Sequence, residues 1–568
     1  METRNCQNCK KDFSIEQEDF NFYEKIDIPL PTFCPDCRFQ RRLVVRNNRV
    51  FSRRECDLCK KSMISLYTKD KPYTVYCYEC WFSDKWDVMS YGVDYDFSTP
   101  FFQQFYELEK RVPRANLYRD NFINSDYCNY GNDFKECYLL FGGKGNERVS
   151  FGNQVVNSRD SLDIAFCEKV EFSYETFECQ RANKLFFSRY SMDCVESAYL
   201  IDCRNCLNCF GCVGLVNKQY YIFNQPYSKE DYEAFMKANP LGSFNNHLEF
   251  MKKLEELSLA IPKRYARIYK STSSTGDDLL ECKNTYNSFS SRQVEDSGNL
   301  FFCRGNSKDC LDDSFVGFNA ELVYEIAHGF GGNNIAFGMR NIFNQDARYN
   351  EECRDSANIF GCEGLRKKNY CILNKQYSKE EYDEILPKII KHMDDMPYID
   401  SKGRIYKYGE FFPSELAPFA YNETIAQEYF PLSKEEALNQ GFSWQEGEER
   451  NYKIDIENKD IPNDVRDVSE EILNKVIACG HAGKCKEQCT EAFKIVPEEL
   501  KFYKRMGLPL PRLCPNCRHY QRINFRNPLK LWHRSCAKEG CSNEFETSYA
   551  PDRPEKVYCE KCYQQEVY

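Results

Sequence analysis

Two stretches of this chain repeat each other from opposite ends: PLPTFCPDCRFQRRLVVRNNRVFSRRECDLC at residues 29–59 and PLPRLCPNCRHYQRINFRNPLKLWHRSCAKEGC at residues 509–541. The C-P-x-C-R core of the first stretch recurs 480 positions later in the second, and Pro-Leu-Pro precedes it in both. Arginines follow the core in each stretch, with no acidic residue among them until the next cysteine pair approaches. This repetition predicts one module used twice, once near each end of the chain.

Each predicted module contains four cysteine pairs, enough for two tetrahedral sites of four thiolates each. A C-x-x-C turn directs both sulfurs to one point, so two such turns complete a site. We assign the first four N-terminal cysteines to one site and the next four to another, although spacing alone also allows an interleaved pairing. About four Zn(2+) ions are therefore expected. The predicted ligands are Cys6, Cys9, Cys34, Cys37, Cys56, Cys59, Cys77, Cys80, Cys485, Cys489, Cys514, Cys517, Cys536, Cys541, Cys559 and Cys562.

The C-terminal module departs from the C-x-x-C spacing at its first pair. The sequence there reads CGHAGKCKEQC, which begins at Cys479. We favour Cys485 with Cys489 as ligands, but Cys479 or His481 could take the place of Cys485. The pair Cys536–Cys541 is also widened.

The segment from Cys6 to Arg38 reads C-x-x-C-x3-F, then an acidic stretch ending in Phe-Tyr, then P-x-x-C-P-D-C-R. This pattern resembles the "probable zinc-ribbon" domain family of bacterial proteins, at both ends of the chain. The resemblance implies zinc and a ribbon-like fold, and it implies no catalytic activity. The whole chain also resembles multi-zinc-ribbon proteins of small-genome bacteria, which supplies an architecture and no mechanism.

The bulk composition narrows the class of protein. The 568 residues are 42% hydrophobic and 15% aromatic, which suits several packed domains. No secretory signal and no run of apolar residues long enough to span a membrane is evident, so a cytoplasmic protein without a membrane partner is expected. In a reducing compartment the 32 cysteines favour metal binding over disulfides. A net charge of −10 confines any nucleic-acid contact to a local basic patch.

An arginine-rich stretch follows the second cysteine pair of each module. A helix would place residues four apart on one face, beside aromatic rings, and such a face suits a phosphate backbone with stacked bases. Structured RNA or a ribonucleoprotein is the expected partner. Two alternatives stay open: the arginines neutralise the zinc thiolates or pair with the acidic body, or they bind an acidic protein. The predicted nucleic-acid-binding residues are Arg38, Arg42, Arg46, Arg49, Arg518, Arg522, Arg526 and Lys530.

A second repeat, with a period of 150 residues, occupies the middle: FGCVGL at 210–215 returns as FGCEGL at 360–365. Each block ends in a helix that begins with an S-x-x-D/E capping box, at Ser228 and at Ser378. The preceding short apolar pieces, separated by Asn, Asp, Ser, Gly and Cys, favour a parallel β-helix over an irregular antiparallel assembly.

The predicted fold class is therefore mainly β with α: two duplicated terminal zinc-ribbon modules flank a duplicated β-solenoid body with capping helices. The predicted units are an N-terminal double zinc-ribbon module, a first and a second solenoid block that each end in a helix, a connector packed on the body, and a C-terminal double zinc-ribbon module. Their bounds are 1–90, 91–262, 263–393, 394–475 and 476–568.

The middle also offers two weaker signals of chemistry. Cys203, Cys206, Cys209 and Cys212 form C-x-x-C-x-x-C-x-x-C, which is typical of a metal site, but only two of the four recur 150 residues later. Buried small residues explain them equally well. The acidic pairs at 277–278 and 312–313 would suit a carbohydrate-active β-helix enzyme, although adjacent aspartates are usually turn residues.

The sequence thus favours a non-enzymatic zinc-binding protein that contacts nucleic acid through its arginines. The alternatives are a zinc-stabilised assembly scaffold, which could be a homo-oligomer, and a β-helix carbohydrate-active enzyme as the least favoured. The four-cysteine sites leave no open coordination position and are expected to be structural.

Overall fold

The structure is a computed structural model that describes residues 1–447 and 452–567. The protein is mainly β, with 33% of residues in strands and 24% in helices, which confirms the predicted mixture of β structure with some helix. Four residues of the predicted connector, 448–451, and the last residue of the predicted C-terminal module lie outside the described residues. No helix in the described part of the chain has both the length and the apolar character needed to cross a membrane.

Helices occur in the terminal modules, just before the first large sheet, after each large sheet, and in the connector. The helices are α1 Gln17–Ile26, α2 Pro35–Val44, α3 Tyr78–Trp81, α4 Phe101–Arg111, α5 Lys229–Ala238, α6 Phe244–Ala260, α7 Lys379–Asp395, α8 Ala426–Tyr429, α9 Lys434–Asn439, α10 Pro497–Met506, α11 Pro515–Ile523 and α12 Glu560–Val567. Single 3-10 turns are Val88–Tyr91, Ser414–Leu416, Tyr421–Glu423, Asn458–Asp460, Val465–Asp467 and Glu470–Asn474.

Two sheets of twelve strands form the body. The first comprises Arg119–Ile123, Asn129–Lys135, Phe141–Ser150, Asn153–Val156, Arg159–Ala165, Glu168–Glu171, Tyr174–Phe177, Gln180–Arg189, Val195–Ala198, Leu207–Phe210, Gln219–Ile222 and Gln225–Pro226. The second comprises Ile268–Tyr269, Leu279–Leu280, Lys283–Tyr286, Arg292–Gly298, Arg304–Leu311, Val316–Ile326, Gly329–Met339, Asn341–Ile342, Gln345–Glu351, Ala357–Phe360, Asn369–Ile372 and Lys375–Gln376.

The other strands form two-stranded pairs. The N-terminal pairs are Glu2–Asn5 with Asp12–Ile15, Ser52–Glu55 with Ser62–Ser65, and Val75–Tyr76 with Arg114–Ala115. The C-terminal pairs are Ile477–Ala478 with Ala492–Phe493, Trp532–Ser535 with Glu544–Thr547, and Val557–Tyr558 with Lys263–Arg264. The remaining pairs are Gly276–Asp277 with Ser288–Phe289 and Tyr398–Ile399 with Ile405–Tyr406.

Pairing within the large sheets is parallel except at their final hairpins, and its register is nearly constant. Leu185 pairs with Ser197 in the first sheet and Ile359 with Cys371 in the second, a step of twelve residues in each case. Around Lys308 and its partner Glu321 the step widens to thirteen, next to a register shift. Each stretch of chain therefore lies directly beside the stretch that follows it, as stacked parallel strands require.

The backbone turns at every third residue through the left-handed region. From Asp193 to Asn208 every third residue has a φ between 47° and 57°, and the same spacing recurs through most of both sheets, with interruptions such as that between Phe302 and Asn306. A left-handed residue other than glycine costs about 1–2 kcal/mol relative to the right-handed conformation. Backbone hydrogen bonds between successive stretches offset this cost: Asp202 N donates to Arg189 O, and Ile201 N donates to Cys212 O.

The residue after each left-handed turn points into the body, so one side chain in three is internal. Leu200, Cys203 and Cys206 occupy such positions and are at most 1% exposed. Serine fits there too, because Ser173 Oγ donates to Glu171 O and accepts from Leu185 N at 3.0 Å, twelve residues on. These internal contacts explain why Cys, Ser, Leu and Val recur every third residue.

The helices that follow the two sheets begin as predicted. Ser228 Oγ accepts from Asp231 N at 3.0 Å at the start of α5, and Ser378 Oγ accepts from Glu381 N at 3.2 Å at the start of α7. The predicted capping box is complete only at Ser378, where Glu381 Oε2 also accepts from Ser378 N; at Ser228 the serine side chain alone caps the helix. Tyr232 and Tyr382, one turn into each helix, are buried.

Candidate metal centres

Four clusters of four cysteines bring their sulfurs within 4.8 Å of one another. They are Cys6, Cys9, Cys34 and Cys37; Cys56, Cys59, Cys77 and Cys80; Cys479, Cys489, Cys514 and Cys517; and Cys536, Cys541, Cys559 and Cys562. The pairing is sequential in both modules, so the interleaved alternative is excluded by the structure. Every cysteine is free of disulfides.

The first cysteine pair of each cluster lies on a β-hairpin. Cys6 directly follows the strand Glu2–Asn5, and its carbonyl accepts from Lys10 N at 3.0 Å, which closes the turn that carries Cys9. Cys56 and Lys60 repeat this turn with a distance of 2.9 Å. Lys10 and Lys60 adopt φ values of 60° and 62°, the left-handed conformation that such a tight turn needs.

The second cysteine pair of each cluster lies at the N-terminus of a helix. Cys34 and Cys514 are the N-cap residues of α2 and α11, and Pro follows each at the first helical position. The positive end of the helix dipole stabilises thiolate there. The Cys34 amide donates to Cys6 Sγ at 3.3 Å, and the Cys514 amide donates to Cys479 Sγ at the same distance.

The sulfur spacing suits a tetrahedral ion. A centre with metal–sulfur bonds of about 2.3 Å has sulfur–sulfur edges of about 3.8 Å. The observed separations are 3.7 Å for Cys9–Cys34, 3.8 Å for Cys59–Cys77 and 4.0 Å for Cys541–Cys559. These donor sets therefore fit a bound metal ion, and a hairpin facing a helix N-terminus is a zinc-ribbon-like arrangement.

One four-cysteine cluster has a different member from the favoured one, and it is the alternative that the spacing left open. Cys479 takes the place that we assigned to Cys485 in the third cluster. The Cys479 amide donates to Glu491 O at 2.8 Å, as the Cys6 amide donates to Lys11 O at 2.9 Å, so Cys479 is the structural counterpart of Cys6. The physical reason is that a longer hairpin loop separates the two ligands here, so their spacing in the sequence is not that of a short cysteine turn. The other fifteen predicted ligands lie in the four clusters.

The C-x-x-C-x-x-C-x-x-C motif does not form such a cluster. Cys203, Cys206, Cys209 and Cys212 are successive internal positions of one twelve-residue stretch. Cys203 Sγ donates to Ile201 O at 3.5 Å, and the others make equivalent contacts. In the described part of the chain their sulfurs do not converge with other donor atoms into a group that could hold a metal ion. Their spacing reflects the internal period of three.

The N-terminal arginine row, defined as Arg38, Arg41, Arg42 and Arg46, is buried against the second sheet. Arg38 Nη2 lies 2.7 Å from Asp312 Oδ2, and Arg41 Nη2 lies 3.0 Å from Glu325 Oε2. All four arginines are at most 3% exposed. α2 ends at Val44, so the last of the four lies beyond the helix.

The C-terminal arginine row, defined as Arg518, Arg522 and Arg526, is buried against the first sheet. Arg518 Nη1 and Arg522 Nη1 lie 2.6 Å and 2.7 Å from the two oxygens of Asp163. Arg526 Nε donates to Glu178 Oε1 at 2.9 Å. Each module therefore packs against the sheet that is more distant from it in sequence.

These pairs are strongly charged sites in a buried setting. Burial raises the pKa of Glu325, and the guanidinium groups of Arg41 and Arg42 oppose that rise. A buried carboxylate outside the two rows, Glu351, shows the opposite balance. Burial acts to raise its pKa, but the guanidinium groups of Arg114 and Arg340 outweigh burial and lower that pKa to about 2. Removing one member of such a pair leaves an uncompensated buried charge, which costs several kcal/mol.

The predicted nucleic-acid-binding residues are mostly unavailable to a phosphate backbone in this structure. Arg38, Arg42, Arg46, Arg518 and Arg522 are buried, and Arg526 pairs with a buried carboxylate. Arg49 is half-buried with its guanidinium 4.8 Å from the Phe141 ring centre, and Lys530 is exposed. Nucleic-acid binding by the protein stays a prediction. Contact by the buried arginines would require separation of the modules from the sheets, whereas Lys530 is accessible as it stands.

The carboxylates that pair with the arginines were missed in the sequence. Asp163, Glu178 and Glu325 stand at left-handed turns of the sheets, where acidic residues are also common as simple turn formers. The acidic pair at 312–313, considered above for an enzyme, is used internally: Asp312 pairs with Arg38, and Asp313 accepts from Ile326 N. Asp277 likewise pairs with Arg267.

Comparisons with known proteins assign the chain to no family. No protein-family model matches the chain, and no curated protein matches it. One solved structure that aligns in part is that of a protein from Desulfovibrio desulfuricans G20 called a "putative acetyltransferase", with a TM-score of 0.11 and 9% identity. The alignment covers 55% of this chain and 84% of that one. A likeness this weak carries no argument about fold or activity.

Proposed function

We propose that this chain is a non-enzymatic, zinc-stabilised assembly scaffold. Its four-cysteine sites each hold one Zn(2+) and keep the terminal modules folded, and the modules in turn hold the body. The observation that carries the proposal is that every arginine of the two rows except Arg46 pairs with a buried or half-buried carboxylate of the sheets. Arg46 is also buried and contacts Asn48 and His328 instead. Arginines used in this way serve architecture rather than a mobile ligand.

The constant register supports a solenoid body. Residues twelve apart pair in parallel in both sheets, and left-handed turns recur at every third residue. A chain built this way stacks on its own preceding turn and presents long, regular outer faces. The repeated motifs 150 residues apart further support two related blocks. Extended faces of this kind suit binding to other proteins.

The two modules dock on the sheets through equivalent ion pairs, which supports a duplicated docking arrangement. Arg38 and Arg518, 480 positions apart, pair with Asp312 and Asp163, which both stand at left-handed turns. Four-sulfur sites with all positions filled by protein leave no place for a substrate at the metal. We therefore assign the zinc a structural role.

Metal content and stability test the structural role. The purified chain should contain zinc, and Cys6→Ser should lose about one ion and lower the thermal midpoint. Cys203→Ser is the matched control, because serine already fits internal positions of this kind; it should change neither quantity by much. A zinc-free protein that folds normally would exclude the proposal.

Self-association tests the scaffold role. Light scattering should show an oligomer that persists at high salt, whereas an association held by exposed charges would be screened and lost. A strict monomer at all protein concentrations would exclude assembly through copies of this chain. In that case the scaffold would have to act on a different partner, which cross-linking in cells of the native host would identify.

Nucleic-acid binding is a second candidate, carried among the predicted residues by Lys530. Lys530 is exposed, and its Nζ lies 5.5 Å from the ring centre of Trp532, a combination that suits a phosphate beside a stacked base. Lys530→Glu should then weaken binding of single-stranded RNA and reduce its salt dependence, with the fold intact. Fluorescence anisotropy that shows no binding of the unmodified protein at low salt would exclude this candidate.

A further inference from the structure

The third metal cluster has an unusually long hairpin loop. Nine residues separate Cys479 from Cys489, whereas two separate the equivalent ligands Cys6 and Cys9. The added loop turns back on itself through left-handed residues at Ala482 and Gly483. It carries three further metal-ligating side chains, which the N-terminal module lacks.

Those three side chains converge on the existing cluster. The donor atoms of His481, Cys485, Glu487 and Cys517 all lie within 4.8 Å of one another. Cys485 Sγ is 3.7 Å from Cys517 Sγ, close to the edge expected for two thiolates on one ion. Cys517 belongs to the four-sulfur cluster as well, so its sulfur is positioned to face two centres.

Two atoms of this group are buried without a hydrogen-bond partner. His481 Nδ1 and Glu487 Oε2 are each inaccessible to water and make no hydrogen bond in the described part of the chain. They lie 3.1 Å apart, yet the contact is not aligned as a hydrogen bond. Buried polar atoms are normally satisfied, so a pair left unsatisfied at one point indicates a ligand between them.

The chemistry of the four donors identifies that ligand as a metal ion. Imidazole nitrogen, carboxylate oxygen and two thiolate sulfurs form a mixed set that zinc accepts in tetrahedral geometry. A second cation would also offset the negative charge that the neighbouring four-thiolate centre concentrates. Alkali and alkaline-earth ions prefer oxygen donors and fit the set poorly.

We propose that the C-terminal module binds an additional Zn(2+) at His481, Cys485, Glu487 and Cys517, with the Cys517 thiolate bridging two ions. The chain then holds five ions instead of four. This inference rests on the proposed occupation of the four-cysteine sites by zinc. Cys485, which lies outside the third four-cysteine cluster, is a ligand of the additional ion.

Native mass spectrometry of the zinc-loaded full chain tests the proposal, because it counts bound ions one at a time. The unmodified chain should carry five zinc ions, and Cys485→Ser should carry four. The double variant His481→Gln/Glu487→Gln should also carry four, and it keeps every thiol of the third four-cysteine cluster. Cys203→Ser, the matched control, should keep five.

The outcomes separate this inference from the proposed function. Four ions in the unmodified chain, with four in both variants, would overturn the additional site and leave the structural zinc intact. No bound zinc at all would overturn both. If Cys485→Ser misfolds, the double variant still decides the question. Replacement with Co(2+) gives a second readout: loss of the mixed-donor centre should remove part of the visible absorption and leave the four-sulfur bands.

Discussion

Replacing Asp163 by asparagine isolates the force that holds the C-terminal module against the first sheet. Asp163 is fully buried and accepts charged hydrogen bonds from Arg518 at 2.6 Å and Arg522 at 2.7 Å. Asparagine has the same shape and tolerates the left-handed φ of 54° at this position. The change therefore removes a charge without leaving a cavity or straining the backbone.

The structure sets the expected magnitude. Removing one partner of a buried ion pair costs about 3–5 kcal/mol. Arg518 keeps a contact of 3.2 Å with Glu499, and Arg522 keeps one of 3.5 Å with Glu175. Because these carboxylates retain part of the compensation, we expect the lower end, about 3 kcal/mol.

Hydrogen exchange measures this loss locally, which suits a chain of several units that need not unfold in one step. A loss of about 3 kcal/mol in opening free energy should speed exchange of the α11 amides about a hundredfold. Amides of α2, docked on the other sheet, serve as the internal reference. Trypsin should also cleave after Arg518 and Arg522 more readily.

Asp193→Asn is the matched control. Asp193 also has a left-handed φ, of 57°, but its pair with Arg181 is exposed, with 43% of each side chain accessible. A surface pair of this kind contributes at most about 1 kcal/mol. If exchange in α11 is equally fast in the Asp163 and Asp193 variants, buried ion pairing does not hold the module, and the proposed architectural role of the arginines fails.

Three further results are expected. Asp312→Asn should speed exchange in α2 by a similar factor and leave α11 unchanged, because Arg38 is its partner; equal effects on both helices would contradict separate docking sites. Burial, with help from Arg49, lowers the pKa of His519 to about 4, below its unfolded value of about 6.5. Between these values the unfolded chain binds more protons at this histidine, which should contribute a loss of about 2 kcal/mol in folding stability as the pH drops from neutral to about 5. His519→Gln should remove this contribution, while the buried His247 and His328, whose pKa values are also lowered, keep theirs; identical pH profiles of thermal midpoints would contradict this. Chelation of zinc should expose the α2 and α11 amides together with the sulfurs, and thiol labelling that proceeds without faster amide exchange would show that docking is independent of metal.

The cysteine spacing predicted most of the metal sites because local chain geometry determines them. A short C-x-x-C turn places both sulfurs on one side whatever surrounds it, as at Cys6–Cys9 and Cys56–Cys59. The exception, Cys479, depends on the path of a longer loop, which spacing does not define. The additional group around Cys485 is likewise visible only once that loop is folded.

The role of the arginines could not be predicted for a different reason. Arg38 and Asp312 are 274 residues apart in the sequence, and Arg518 and Asp163 are 355 apart. A row of arginines on a helix has the same local pattern whether it faces a nucleic acid or a buried carboxylate. The period of three is present in the sequence as well, for example at Cys194, Ser197 and Leu200, but it is a weaker signal than the repeats with offsets of 150 and 480 residues.

The amino-acid sequence by itself determined the two cysteine-rich modules, the mainly β body and the capped helices that follow its sheets, since each depends on residues near one another in the chain. The tertiary structure decided which sheet each module packs against and which side chains are buried there. Those outcomes depend on charges brought together from distant parts of the chain, where desolvation makes a buried guanidinium costly unless a carboxylate or another polar partner compensates it. The local sequence pattern therefore defines the modules, the body and the helices, and electrostatic pairing between distant residues decides which sheet each module packs against.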